Sequence, residues 1–414
     1  MIRRVLLTVA LSAVLLAVSG QQVENYYVYP DSAAGRLTPA PDGKQPFYIS
    51  HFGRYTTTYL GYRVGMDAVI KLLNAASSKG KLTETGKNTL REMKSVLHSF
   101  ENRFGDATQR GLRHQRLLAR RMAASFPEVF VGSAVVDAYS TIKARTVLTM
   151  GSATQELMLF NPKMRISLHS SLKDMSILDY NTKHVPEDEV PDSARQAYDA
   201  FCKPLQKSAR LAALLFNDSA YVAAEVDEVL LNHEIRKAAV QQDLHYPDRK
   251  FKLSSLLTAD EIKAFWLMRN AHNYVNFSNT PLNNHYRPDR QRELLQHIVA
   301  QADSCIAKRQ NGATLRFGHE QSLLPLLCLL DVNGFGLAEA SFDNVGIGKW
   351  WSCDITEAPA NLQLVFYRAN PYDRDILFKV LLNEQEAVLP LETSCWPYYR
   401  WADFRQYCKE LLKQ

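Results

Sequence analysis

The order of its periodicities constrains this chain more than any single motif. One strand-like run, Phe47-Tyr48-Ile49, ends in Ser50-His51-Phe52-Gly53-Arg54-Tyr55-Thr56-Thr57-Thr58. Helical patterns then dominate. Leu90, Met93, Leu97 and Phe100 recur at spacings of 3, 4 and 3, one face of a helix. "ATQRGLRHQRLLARRMAASF" reads as a basic helix whose arginines, Arg110 to Arg121, form a solvated face, and "ARTVLTMGSATQELMLF" continues in that style. Residues 160–280 are mainly helical, although 160–190 show no clear period. Their last helix opens on Thr258-Ala259-Asp260-Glu261, a capping box in which hydroxyl and carboxylate satisfy amides at the helix start. Strands return in "ATLRFGHE", "LQLVFYR" and "DILFKVLLNEQEAVLPL", the last a hairpin turning near Asn383-Glu384. Strand, helices, helical block, strands: the order predicts an α/β domain interrupted by a helical insertion. The expected division is α/β over 21–155, insertion over 156–280 and α/β again over 281–414.

Composition narrows the class. Of 414 residues, 46% are hydrophobic and 22% charged, which excludes a disordered or collagen-like chain. The net charge of +6 owes something to Arg3 and Arg4 and gives no reason to expect nucleic acid. It would suit an anionic small molecule. "MIRR", the apolar "VLLTVALSAVLLAV" and the small residues of "VSGQQ" make residues 1–20 an export signal. No later run is apolar for long enough to span a bilayer. The expectation is an exported, soluble protein, periplasmic or secreted, with no membrane attachment once the signal is removed. The six cysteines are compatible with disulfides, but Cys328 inside "LLPLLCLL" is expected as a buried thiol. No CxxC and no Cys/His pair at zinc spacing occurs, so neither metal nor cofactor is expected.

Four pieces could carry chemistry: the loop at 50–58, Arg145 in "KARTVLT", the basic helix, and Arg316-Phe317-Gly318-His319-Glu320. "GKLTETG" and "GDATQRG" share a G-x-[LA]-T-x-x-G form in which Thr caps a helix. With "FYISHFGRY", "GDATQRGLRHQRLLARRM", "DAYSTIKARTVLT", "ATLRFGHEQSLLPLL", "NLQLVFYR", "LLNEQEAVLPL" and "PYYRW", in this order, the chain resembles the histidine acid phosphatases. The branch it resembles includes multiple inositol polyphosphate phosphatases and phytases, and the likeness runs over nearly all of the mature sequence.

The resemblance implies a three-layer α/β domain with a central, mostly parallel sheet and a helical cap. It also implies phosphoric monoester hydrolysis. In the family a His at the end of the first strand accepts the phosphoryl group, arginines and a second His grip its oxygens, and an adjacent acid protonates the leaving alkoxide. Carried over by position, Arg145 matches the helix-borne phosphate arginine, His319 the second His, and Glu320 the proton donor. Relatives often have Asp at that last position, or Glu one residue later.

The family's Arg-His-Gly-x-Arg motif is not spelled here. In one alignment, relatives reading "SHYGRHGSRY" match without gaps. Arg54 is then kept, Tyr55 replaces the nucleophilic His, Thr56 the Gly and Thr58 the second Arg. In the other, His51 is itself the nucleophile, Arg54 the arginine three residues on, and Ser50 and Phe52 the departures. The first keeps Tyr59 and Leu60 in step and is preferred. A phenol of ordinary pKa about 10 is a poor nucleophile beside imidazole. Tyr139, where relatives often have Arg, is a further candidate for a lost cation. The leading expectation is therefore a pseudophosphatase keeping Arg54, Arg145 and His319 for a phosphorylated small molecule, an inositol phosphate or another phosphomonoester. The alternatives are an active phytase-like enzyme using His51, with Glu320 as acid, and a surface- or carbohydrate-binding scaffold using "NNHYRPDR" and the aromatics of "WPYYRW".

Overall fold

The computed structural model describes residues 35–178, 190–206, 209–353, 355 and 359–413, without the side chains of 286 and 287. Residues 1–20, expected as an export signal, lie outside them. The strand-like run is β1 (Gln45–Arg54), and the helices α1 (Val64–Ser78), α2 (Glu84–Ser99) and α3 (Gln109–Ser125) follow. Next come β2 (Val135–Ser140), α4 (Ala144–Phe160) and β3 (Arg165–His169). The helical stretch holds α5 (Asp192–Cys202), α6 (Ala209–Leu215), α7 (Ser219–Glu225), α8 (Glu228–His245) and α9 (Ala259–Phe277). After α10 (Arg292–Lys308) the chain forms β4 (Gly312–Gly318), α11 (Glu320–Leu329), β5 (Asn361–Arg368), β6 (Leu377–Leu382), β7 (Gln385–Ala387), β8 (Tyr399–Arg400) and α12 (Trp401–Leu411).

These strands make one sheet in the order β3-β2-β4-β1-β5-β6-β7, with β8 also on β6. β1, β2, β3 and β4 are mutually parallel where they pair, whereas β5 to β8 join antiparallel. The expected mostly parallel sheet is thus a mixed one: β5 enters antiparallel beside β1, and β6 to β8 continue antiparallel from it. Asn383 and Glu384 turn β6 into β7 with φ of 50° and 65°, the left-handed values such a two-residue hairpin needs. Arg121 of α3 holds the Glu384 carboxylate through two bonds of 2.9 and 2.5 Å. The basic helix is therefore not simply a wet face.

Both sheet faces are covered. Alternate residues of β1 point to opposite layers. Tyr48 and Phe52 join the core built with α10, α11 and α12, while Ile49 joins the one built with α3 and α4. A third core lies away from the sheet, where α1 and α2 pack with α6 and α8 through Met66, Leu73, Met93, Leu215 and Leu231. The helical unit thus draws on residues 64–99 as well as the later block, because the apolar stripes of α1 and α2 match those of α6 and α8. Cys328 is buried in α11, and none of the six cysteines is bridged. Three aromatics of "WPYYRW" are core: Tyr398, Tyr399 and Trp401 are at most 4% exposed.

Candidate functional site

The loop after β1 is held by main-chain and hydroxyl bonds. Thr108 caps α3, accepting from Gly111 N at 3.0 Å. Its own N–H donates to Thr57 O at 2.9 Å, and Tyr59 N donates to Asp106 O at 3.0 Å. Thr56 N donates to Thr149 Oγ1 at 3.1 Å, and that hydroxyl donates to Arg145 O at 2.7 Å. A Cβ on Gly111 would stand 2.5 Å from Thr56 Oγ1 and under 3 Å from Thr57 backbone atoms. The second glycine of G-x-[LA]-T-x-x-G is thus where the loop presses on a helix end. The run of threonines ties the loop to α3 and α4.

That clamp and the end of β4 bring five of the six candidate residues together. Arg54 Nη1 lies 3.0 Å from Glu320 Oε2, with Arg269 of α9 at 3.7 Å from the same oxygen. The Tyr55 ring meets His319 edge-on at 5.1 Å. The guanidinium of Arg145 sits 4.6 Å from the Tyr55 ring centre and that of Arg54 at 5.2 Å. Tyr55 N donates to Gly318 O at 2.9 Å, tying the loop to the β4 end that carries His319. His319 Nε2 is 3.1 Å from Thr141 Oγ1.

His51 is not in this cluster. Period-two alternation turns it toward α3, where its ring meets Phe317 at 5.3 Å and lines a cavity of about 10 Å3 with Gln115 and Gln363. Tyr139, half-buried near the C-terminal end of β2, stacks on His169 at 4.5 Å.

Electrostatics separate the groups further. Burial, with the Arg145 charge next, lowers the His319 pKa to about 3, so its imidazole is neutral. Burial and then Arg316 bring His51 to about 3 as well. Arg316 is wholly buried and donates to Ser50 Oγ at 2.9 Å and to His297 Nδ1 at 3.0 Å. Burial acts to raise the Glu320 carboxyl, but Arg54, then Arg269, His272 and His319, hold it below its ordinary value. Glu320 is therefore an anion at neutral pH, shared between two guanidiniums. A general acid must carry its proton at the working pH, so in this ionised state Glu320 has no proton to donate. Sequence reasoning missed Arg269 and Thr141. Arg269 belongs to no motif and reaches the site only because α9 packs over the start of α11.

The sheet order, covered faces and helical unit, with the cluster at the C-terminal ends of β1 and β4, give this chain the fold of solved inositol polyphosphate phosphatase and phytase structures. The multiple inositol polyphosphate phosphatase of Bifidobacterium longum, crystallised with inositol hexasulfate, matches at a TM-score of 0.75 and 15% identity, over 93% of this chain and 97% of that one. The phytase from D. castellii gives 0.67 at 14% identity, over 94% and 84%. That of Klebsiella sp. ASR1 gives 0.52 at 10%, over 89% and 96%. No family model and no curated protein matches the sequence. Among the described residues no helix is long and apolar enough to cross a membrane, and no group of His, Cys, Asp and Glu is arranged to hold a metal.

Proposed function

We propose that the chain is a pseudophosphatase: it holds an anionic phosphate ester through Arg54, Arg145 and His319 and does not hydrolyse it through a phosphohistidine. One observation carries this reading. The side chain set among the two arginines and His319 is a phenol, Tyr55, and the nearest upstream imidazole, His51, faces another layer. The transferable role of the arginines is to match charge on phosphate oxygens, which requires no nucleophile. The fold neighbours crystallised with inositol hexasulfate or myo-inositol hexakis sulphate make a phosphorylated cyclitol a reasonable first ligand to try. The export expected from residues 1–20 belongs to the same reading.

The test is release of inorganic phosphate from an aryl phosphate and from inositol hexakisphosphate, followed by phosphate binding in a calorimeter. The expected result is no release above background, with weak, salt-sensitive binding that Arg145→Ala reduces. Turnover abolished by His51→Ala would replace this reading with the enzymatic one. Absence of any binding at low salt would favour a bare scaffold.

A further inference from the structure

A cleft of about 760 Å3 opens between α8, α9 and the first turn of α11. From α8, Asn232, His233, Arg236 and Lys237 face it, at the spacing of one helical side. From α9 come Phe265, Met268, Arg269, His272 and Phe277, again one face, and Tyr198 of α5 closes a wall. Glu320 and Gln321 form the end nearest the Arg145 cluster.

The cations of this cleft are not alike. Lys237 Nζ is bound by both oxygens of Glu234 at 3.0 Å. Arg269 shares Glu320. Arg236 is only 4% exposed, its Nε makes no hydrogen bond, and among the described residues no acid lies within ion-pair distance of it. Glu261, the acid whose field reaches it, is bound to Arg210 at 2.6 Å and to its own helix cap at 2.8 Å. A buried guanidinium without a counter-charge is costly in a folded protein, and its pairing with an anion is correspondingly favourable. The apolar part of the cleft's lining includes Tyr198, Phe265, Met268 and Phe277.

Counting charge decides what fits. Among the described residues, Arg236, Lys237 and Arg269 stand against Glu320, the rim residue Asp227 and Glu234 behind Lys237, three cations to three acids. A polyanion would bring more negative charge than these groups match, whereas one anionic group at Arg236 meets, among the described lining, the one arginine or lysine with no acid at ion-pair distance. We propose that the cleft binds a small molecule with one anionic head, a carboxylate, sulfonate or phosphate, seated on Arg236, and a flat apolar or aromatic body between Phe265, Phe277 and Tyr198. This goes beyond the phosphate-ester reading and does not depend on Arg145.

The experiment is calorimetric titration of the full chain with 1-naphthalenesulfonate and, separately, with inositol hexakisphosphate, at physiological salt. Variants are Arg236→Met, Phe265→Ala and Arg145→Ala, each checked by thermal unfolding. Methionine fills the arginine's volume without its charge, so Arg236→Met is expected to melt no lower than the parent. Naphthalenesulfonate should bind, weaken by about tenfold or more in Arg236→Met and by a few-fold in Phe265→Ala, and be unaffected by Arg145→Ala. Inositol hexakisphosphate should bind no more tightly than the sulfonate. The proposal is overturned if naphthalenesulfonate does not bind, if Arg236→Met leaves its affinity unchanged, or if Arg145→Ala is the variant that abolishes it. Loss of inositol hexakisphosphate binding in Arg145→Ala bears only on the phosphate-ester reading, so the two fail separately.

Discussion

His51 and His319 are both buried and both neutral, yet they stand in different chemistry. His319 shares its surroundings with two guanidiniums, a carboxylate and a phenol at the open end of the sheet. His51 shares its own with Phe317, Leu118, Met122 and two amides beneath α3. The same imidazole is a potential ligand for an anion in one place and a packing element in the other. What separates them is the side of the sheet each strand residue faces and how close the cations lie, so a histidine near a plausible motif is not evidence of a nucleophile until its face is known.

Acid should expose what the two histidines share, and this is the largest effect expected. An unfolded histidine binds a proton near 6.5, whereas folded His51 and His319 resist protonation until about 3. Between those values the unfolded state holds more protons, so stability falls as pH drops from 6.5 toward 3, by on the order of a few kcal/mol per histidine. Glu320 adds a loss of the same direction lower down, because its depressed carboxyl stabilises the fold above its unfolded value and stops doing so as pH falls through the folded one. Denaturant midpoints at neutral and acidic pH check this. His51→Leu should flatten the profile and leave phosphate binding intact, while His319→Ala should flatten it and lose binding.

The clamp beneath the cluster comes next. Gly111→Val puts branched carbon where Thr56 and Thr57 already stand, and should cost about 3 kcal/mol of stability and displace the loop. A variant melting with the parent would remove the loop's dependence on α3. Arg145→Ala should weaken phosphate by about tenfold with little change in melting, since it removes one charge-assisted partner from the cluster. The smallest effect belongs to Glu320→Gln. Removing the carboxylate releases Arg54 for an incoming anion, and phosphate should bind a few-fold more tightly at neutral pH. A weakening would instead give Glu320 a direct role in holding ligand.

Much of this was legible in the chain. Thr83, Thr108 and Thr258 cap the helices their spacing announced. The hairpin turns at Asn383-Glu384. Arg54, Tyr55, Arg145, His319 and Glu320, separated by up to 266 residues, meet because β1 and β4 pair in parallel and end together. The face of His51 was also readable, since the apolar residues Ile49 and Phe52 fix which parity points to which core. Other features were not. Arg236 and Arg269 sit in unremarkable helices and acquire meaning only where α8 and α9 face each other across the cleft. The shift of α1 and α2 into the helical unit depends on matching apolar stripes far apart in sequence. Nor does any local pattern announce that Glu320 is ionised, because its two arginines come from different segments.

Tyr55 stands where a phosphoryl group would be received. Mixing the protein with an activated aryl phosphate, quenching in base and mapping peptides by mass spectrometry reads this directly. The segment from Phe47 to Leu60 should emerge unmodified. A phosphoryl group on His51, on Tyr55 or on any threonine of that loop would mean that the site still performs transfer, and would contradict the account.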